Sequence, residues 1–415
     1  MNPLGGRQKG VVAILVAIGL LALLAMVGLA LDSGHAMLNK SRLQNTVDAS
    51  ALAAAKVLDS TGSEANADAA ARDVFNLNAA NLPELSRVMN GADLTIQFSN
   101  TLNPWAPGTA PANYVRVIAD DFTMWTSFTS LVGITETRMA ASAVAGPSAP
   151  VGNTEGNEAC DLTPMMVCAD MSAGAPGDFG YTGENVTLLK MASNVTGPIG
   201  PGNFQLFELG GAGANIVRQN LAGAYNQCID PGSTITTKPG NNTGPTAQGL
   251  NTRFGKYQGG GMNSTQFPPD KVTTQPSPNM DTAGDPPYVI LRGTGNTQVT
   301  DINQVDYTYE DYAEDLQSGP FDFPDGVEKR RVLAVPFVDC TGTVNGHGTI
   351  PVVGLGCFFL LQEVIQKGNE DFVFAQYIGD CGAGGTPGPD PNPNPEENLG
   401  VYKIVLHNDP LSPDS

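Results

Sequence analysis

VVAILVAIGLLALLAMVGLAL, Val11 to Leu31, is a run of 21 residues without one charged or strongly polar side chain. A helix of this length, at about 1.5 Å per residue, crosses a hydrocarbon core roughly 30 Å thick. Backbone groups in lipid must be bonded within the segment, so the run reads as a helix despite Gly19 and Gly28. A cleaved secretory signal is the competing reading, because Arg7 and Lys9 form a small basic region and Gly28-Leu29-Ala30 is a small-x-small pattern. The apolar core of a signal runs about 7–15 residues. Here the run is longer and passes directly into a second helical pattern, which favours a retained anchor. Arg7 and Lys9 place residues 1–10 in the cytoplasm by the positive-inside rule. Lys40 and Arg42 act against this, but Asp32 precedes them and a long following domain is exported largely regardless of charge.

From Asp32 to Asp59 the apolar positions Ala36, Leu43, Val47, Ala51, Ala54 and Leu58 fall on one helical face. No Pro interrupts them. The spacing predicts one rod of roughly 70 Å, apolar all round in its first half and on one face in its second. Leu43, Val47, Ala51 and Ala54 are then available for close packing against neighbouring helices. The Asp59-Ser60-Thr61-Gly62 cluster stops the rod, and Ser63 caps a second helix with Ala69, Ala70, Val74 and Leu77 inward.

LTIQF (Leu94 to Phe98), YVRVIA (Tyr114 to Ala119) and TRMAASAVA (Thr137 to Ala145) carry strand patterns. Between Phe122 and Gly133 the residues Phe122, Trp125, Phe128, Leu131 and Val132 recur with helical spacing. A long helix on a small antiparallel sheet is α+β and pilin-like in outline. Pro147-Ser148-Ala149-Pro150 reads as a linker, after which strand candidates lie at residues 186–192, 204–209, 330–340, 349–361 and 371–381, with one helix at 214–225. Residues 233–321 are poorly patterned and read as long loops or flexible inserts. TPGPDPNPNPEE is a Pro-rich spacer, and VYKIVL (Val401 to Leu406) returns the chain to the sheet. The expected divisions are residues 1–10, a cytoplasmic N-terminus; 11–31, the transmembrane helix; and 32–146, the α+β module. Residues 147–385 follow as a loop-rich, mainly β, disulfide-containing periplasmic domain, then 386–397 as the spacer and 398–415 as the last strand and tail.

Asp and Glu number 41 against 21 Lys and Arg, a net charge of −20, which disfavours nucleic acid and anionic lipid headgroups as partners. With 49 Gly and 31 Pro the chain reads as loop-rich β more than helical. Cys160, Cys168, Cys228, Cys340, Cys357 and Cys381 all follow the anchor, an even set in an exported chain that suggests three disulfides. Fifteen pairings are open in principle. Cys160 and Cys168 enclose a short loop and Cys357 and Cys381 sit on neighbouring strand candidates, an arrangement that would leave Cys228 with Cys340.

Catalytic patterns are lacking. None of His35, His347 and His407 belongs to HExxH, no GxSxG occurs, and GGAGAN (Gly210 to Asn215) lacks the rest of a dinucleotide fingerprint, so its glycines read as a tight turn. Asp120-Asp121, Glu310-Asp311 and Glu370-Asp371 are adjacent pairs, which point to opposite faces of a strand and read as solvated. Ca²⁺ at Gly368-Asn369-Glu370-Asp371 is conceivable, but the spacing completes no loop motif. C-x₂-C zinc spacing is absent, and no cofactor is expected.

Gly10, the span from Val11, Asp32 with the small Gly34 after it, and LQNTVDASALAAA (Leu43 to Ala55), with Gln44 and Asp48, resemble the N-terminal region of TadE/TadG-like proteins of the bacterial tight-adherence (Tad, Flp-type) pilus system. YVRVIA, the aromatic stretch and MAASAVAG sit where that family has its own. Cys160-Asp161-Leu162-Thr163-Pro164, GNFQLFELGGAGAN and GLNTRF (Gly249 to Phe254) resemble longer TadG-like members. Two departures matter. The family's processed members are cut after a Gly and carry Glu at the fifth position afterwards; here that position, counted from Gly10, is Leu15. The resemblance therefore implies an uncut, permanently anchored member, one that also avoids the cost of a lone carboxylate in lipid. Some members carry a von Willebrand A metal site, Asp-x-Ser-x-Ser; Asp170 and Ser172 fit it but Gly174 stands in the last place.

The resulting expectation is a non-enzymatic, single-pass protein of the bacterial inner membrane with most of its chain in the periplasm. It would act as a scaffold or minor-pilin-like partner of pilin-like and Tad secretion-machinery proteins. A membrane-tethered adhesin or carbohydrate binder using the Gly/Asn/Thr-rich loops near residues 240–300 is the alternative, and an anchored hydrolase a third.

Overall fold

A computed structural model describes residues 9–151, 159–172, 179–190, 203–223, 228–229, 232–284, 288–293, 295–342, 346–367, 370–382, 384–385 and 401–412. Lys9–Thr61 is one unbroken helix, α1, of 53 residues, about 80 Å long at about 1.5 Å per residue. From Val12 to Leu31 its side chains are exposed, and only Gly28 is covered. Above Asn39 one face turns inward, and Leu43, Val47, Ala51 and Ala54 are each 0% exposed. The helix ends where Gly62 takes a φ of +64°, a conformation that a Cβ resists.

A second helix, α2 (Glu64–Ala79), starts at Ser63, whose hydroxyl accepts from the Asn66 N–H. Its buried face is Ala67, Ala71, Phe75 and Ala79, one residue round from the expected one. Ala69 and Leu77 are exposed, and Ala70 and Val74 are half-buried. Phe75 decides this, because its large ring fills the space below α1 while alanines one turn either side let the two helices approach closely.

The strands β1 (Thr95–Ser99), β2 (Tyr114–Trp125) and β3 (Glu136–Pro147) form an antiparallel sheet under α1. Its fourth member is the C-terminal strand Ile404–His407, which pairs with β3 along Pro147 to Val144. The chain thus closes on its first sheet. The expected aromatic helix is instead the end of β2, up to Trp125, and the hairpin tip that follows it. The ladder slips between Ala119 and Phe122, so the exposed Asp120 and Asp121 form a bulge and the parity beyond them changes. Phe122 and Met124 consequently face the core, in a spacing that imitates a helix. Only Thr129–Val132, a 3₁₀ turn at the hairpin tip, is helical.

Beyond Pro147 the region is mostly β with short helices. A mixed sheet runs in the order Val167–Cys168, Val332–Val338, Thr349–Leu360, Val373–Gly379, Val186–Lys190. Thr234–Pro239 pairs with Thr349–Leu360 and with Asn203–Phe207. Within residues 233–321, unpatterned in sequence, the described residues include helices Thr243–Leu250 and Tyr309–Ser318 and a small sheet of Met280–Ala283, Val289–Arg292 and Thr297–Gln298. Their core is scattered along the chain, with Val272, Met280, Val299, Ile302, Tyr312 and Leu316 packed on Phe359 and Phe374. Arg331, 0% exposed, pins this part, donating to the carbonyls of Leu360, Leu361 and Thr274 while its backbone N–H and the Tyr312 hydroxyl both donate to Asp270.

The cysteines pair as Cys160–Cys228, Cys168–Cys340 and Cys357–Cys381. The last matches the expectation. The other two differ because Cys160 faces Cys228 in strand register, and Cys168 lies on a strand parallel to Val338 just before Cys340. The Pro-rich spacer lies outside the described residues.

Candidate functional site

Among the described residues, polar contacts at Asp32, at His35 with Asn39, at Gln44 and at Asp59 fasten the rod to the rest of the chain, and Asp32, Gln44 and Asp59 are residues singled out in the sequence. Nearest the apolar span, Asp32 accepts from the backbone N–H groups of Phe128 (2.9 Å), Thr129 (2.7 Å) and Ser127 (3.3 Å) and from the Thr129 hydroxyl (3.0 Å). A carboxylate at the start of the 3₁₀ turn satisfies donors that the turn leaves open. These bonds, the Thr129 N–H foremost, hold its pKa below the usual Asp value. The ring of Phe128 lies against Gly28, where an added Cβ would come within 2.6 Å of Phe128 Cβ. The hairpin tip therefore rests on the last turn of the apolar span.

About one turn up, Glu84 receives two donors from α1: Asn39 Nδ2 at 2.7 Å, and His35 Nε2 at 2.9 Å. Next, Gln44 Nε2 donates to Asp48 Oδ1 (2.8 Å) and to the Ser142 carbonyl of β3 (2.8 Å). Burial raises the Asp48 pKa, and the Gln44 bond opposes that. So Asp32 ties the helix to the hairpin tip and Gln44 ties it to β3, with Asp48 holding Gln44 and Gly10 in the first turn of α1.

At the top of the rod, Asp59 accepts from Lys329 Nζ at 3.2 Å and, on its other oxygen, from the Tyr402 hydroxyl. A carboxylate in the last turn of a helix faces the negative end of the backbone dipole and gains from such partners. Burial is the largest influence and works against the Lys329 charge, yet Asp59, Tyr309 and Asp380 together outweigh it and hold that ammonium above its ordinary value. Burial and Asp59 together push the Tyr402 phenol well up, so it remains a donor. Leu58, Asp59, Tyr309, Lys329, Asp380 and Tyr402 border a cavity of about 240 Å³ at this junction.

The four apolar residues expected to meet neighbouring helices, Leu43, Val47, Ala51 and Ala54, belong instead to the core shared by α1, α2 and the sheet. The stripe is filled from within the chain. His35, His347 and His407 are dispersed, beside Glu84, Glu208 and Pro147 respectively. Asp170 accepts from the Ser172 N–H and hydroxyl, a local turn, while Gly174 lies outside the described residues. Gly368 and Asn369 lie outside them as well. Asp371, expected to be solvated, is buried in an ion pair with Lys190. Among the described residues no group of three or more His, Cys, Asp or Glu is placed to hold a metal ion. GGAGAN is a turn, with Gly210 and Gly211 at positive φ before the helix Ala214–Leu221.

Sequence reasoning missed Asn39, Glu84, Lys329 and Tyr402. Only Asp59 carried a signal, being an acid where a helix end disfavours one. Neither a curated protein nor a solved structure matches the chain. The model of the Tad family, described as "Putative Flp pilus-assembly TadE/G-like", matches residues 10–57, the stretch that holds the span and the first three contacts of the rod. The match supports a role in Flp pilus assembly. Residues 10–57 are thus similar to the family described as putative Flp pilus-assembly TadE/G-like.

Proposed function

We propose that this chain is a membrane-anchored, periplasm-facing scaffold of Flp-type pilus assembly. The observation that carries the reading is the division of α1: bare and apolar over Val12 to Leu31, and sheathed by its own module from Leu43 upward. A subunit that polymerises through its helix needs a free apolar stripe along the upper half. Here that stripe is occupied, so the rod sets a distance between the bilayer and the distal β region. Three disulfides fit an oxidising compartment, which supports the outward orientation. Partners from the pilus machinery would then meet the distal region or the exposed lower helix.

Fractionation tests this. The intact chain should remain in the inner membrane after alkaline extraction, and protease added to the periplasmic side should reach all but the span and the short N-terminus. Recovery of the chain in sheared pilus fibres would replace the scaffold with a minor-pilin role, and recovery as a cytoplasmic soluble protein would end both.

A further inference from the structure

We infer that the β2–β3 hairpin tip, residues 125–135, is a second membrane contact, a wedge inserted into the lipid interface beside α1. This rests on the reading of Val11 to Leu31 as a membrane span.

Position comes first. Phe128 touches Gly28, which lies about one helical turn below the end of the apolar run at Leu31. Whatever medium surrounds that last turn surrounds the tip. Composition agrees: from Trp125 to Thr135 the sequence WTSFTSLVGIT has no charged residue, in a chain of net charge −20. Trp125 is 71% exposed, Ile134 54% and Phe128 46%, although the core of the same module is well filled. Aromatic side chains at this level match the belt where amphipathic rings settle between acyl chains and headgroups.

Backbone bonding completes the argument, because lipid tolerates a loop only if its donors are satisfied. The N–H groups of Ser127, Phe128 and Thr129 donate to Asp32. Those of Thr126, Gly133 and Ile134 donate to the carbonyls of Thr135, Ser130 and Thr129. The hydroxyls of Thr126 and Ser130 donate to Ile134 O and Ser127 O. The occupant that fits an uncharged, internally bonded, aromatic tip continuous with a membrane helix is the acyl and glycerol layer of the same bilayer.

The chain has two tryptophans, which makes the test direct. Trp105 packs with Leu102, Tyr114 and Val144 at the far end of β2, roughly 35 Å from Trp125 at ~3.3 Å per residue. The full chain is reconstituted into phosphatidylcholine vesicles with acyl chains brominated close to the glycerol, and into unbrominated ones. The expected result is co-flotation with both, quenched tryptophan emission in the brominated vesicles, and loss of that quenching in Trp125→Phe, a substitution at an exposed position. Co-flotation without quenching, or quenching that persists in Trp125→Phe, overturns the wedge and leaves the anchor standing. Failure to co-float overturns the span and the wedge together.

Discussion

The Tyr402 hydroxyl donates to the Asp59 carboxylate across 343 positions of sequence, so the top of the rod is held by one of the last residues of the chain. Tyr402→Phe keeps the ring and removes that bond to a charged acceptor. Denaturant unfolding should show a loss of about 1.5–3 kcal/mol, with amide exchange accelerating first over residues 401–407.

The interior position of the α1 stripe makes Leu43 a stability residue. Leu43→Ala should cost about 2–5 kcal/mol through lost burial and the cavity left behind. Leu21→Ala, on the exposed lower half, should leave unfolding in detergent unchanged. Equal effects from the two would contradict the division of the helix.

Asp32 should govern the hairpin tip without governing the fold. In Asp32→Asn the amides of Ser127, Phe128 and Thr129 lose their carboxylate acceptor and should exchange faster, while those of β3 beyond Met139 hold. Acid should lower the protection of the same amides, taken relative to their intrinsic exchange at each pH. The folded pKa is depressed, so the contact is complete above the ordinary value of 3.8 and is lost as pH falls through the lower folded value.

His407, on the C-terminal strand, is held 3.1 Å from the Pro147 carbonyl and edge-on to Tyr114. Burial lowers its pKa from 6.5, against the opposing pull of the Pro147 and Gly146 carbonyls. A depressed folded pKa means stability that is full above 6.5 and lost as pH drops through the folded value. The protection of the residue 404–407 amides, exchange taken relative to its intrinsic rate at each pH, should therefore be high at neutral pH and fall on mild acidification, and His407→Phe should flatten that response.

Cys168–Cys340 spans 172 positions and joins two sheet-forming segments. Replacing both by Ser should cost about 2–5 kcal/mol, mainly by freeing the unfolded chain, measurable as a lower urea midpoint under oxidising conditions.

How much of this could be read from residues alone varied with the range of the interaction. The rod was legible because Leu43, Val47, Ala51 and Leu58 repeat within one helix, and Ser63 marks its own cap locally. The second half of β2 was not, since a bulge at Asp120-Asp121 is a property of pairing with β3, and it turns a strand's alternation into an apparent helical spacing. The face of α2 was missed because alanines score alike on all sides and only Phe75 breaks the tie. Residues 233–321 look unpatterned because their order comes from Arg331, Asp270 and Tyr312, joined across the fold rather than along it. The same holds for the junction: nothing near Tyr402 in sequence announces Asp59.

The return of Ile404–His407 to β3 has a consequence for how the chain is made. The sheet begun at Thr95 receives its fourth strand only when residue 407 has left the ribosome, and until then β3 presents an unpaired edge along Val144 to Pro147. A prematurely terminated product, even one with its disulfides closed, would carry that open edge and lack the Tyr402 and Arg116–Asp409 clasps. Without residues 404–407 that edge would be free to pair with a strand of another chain, so the last strand of the sheet also guards it against mispairing.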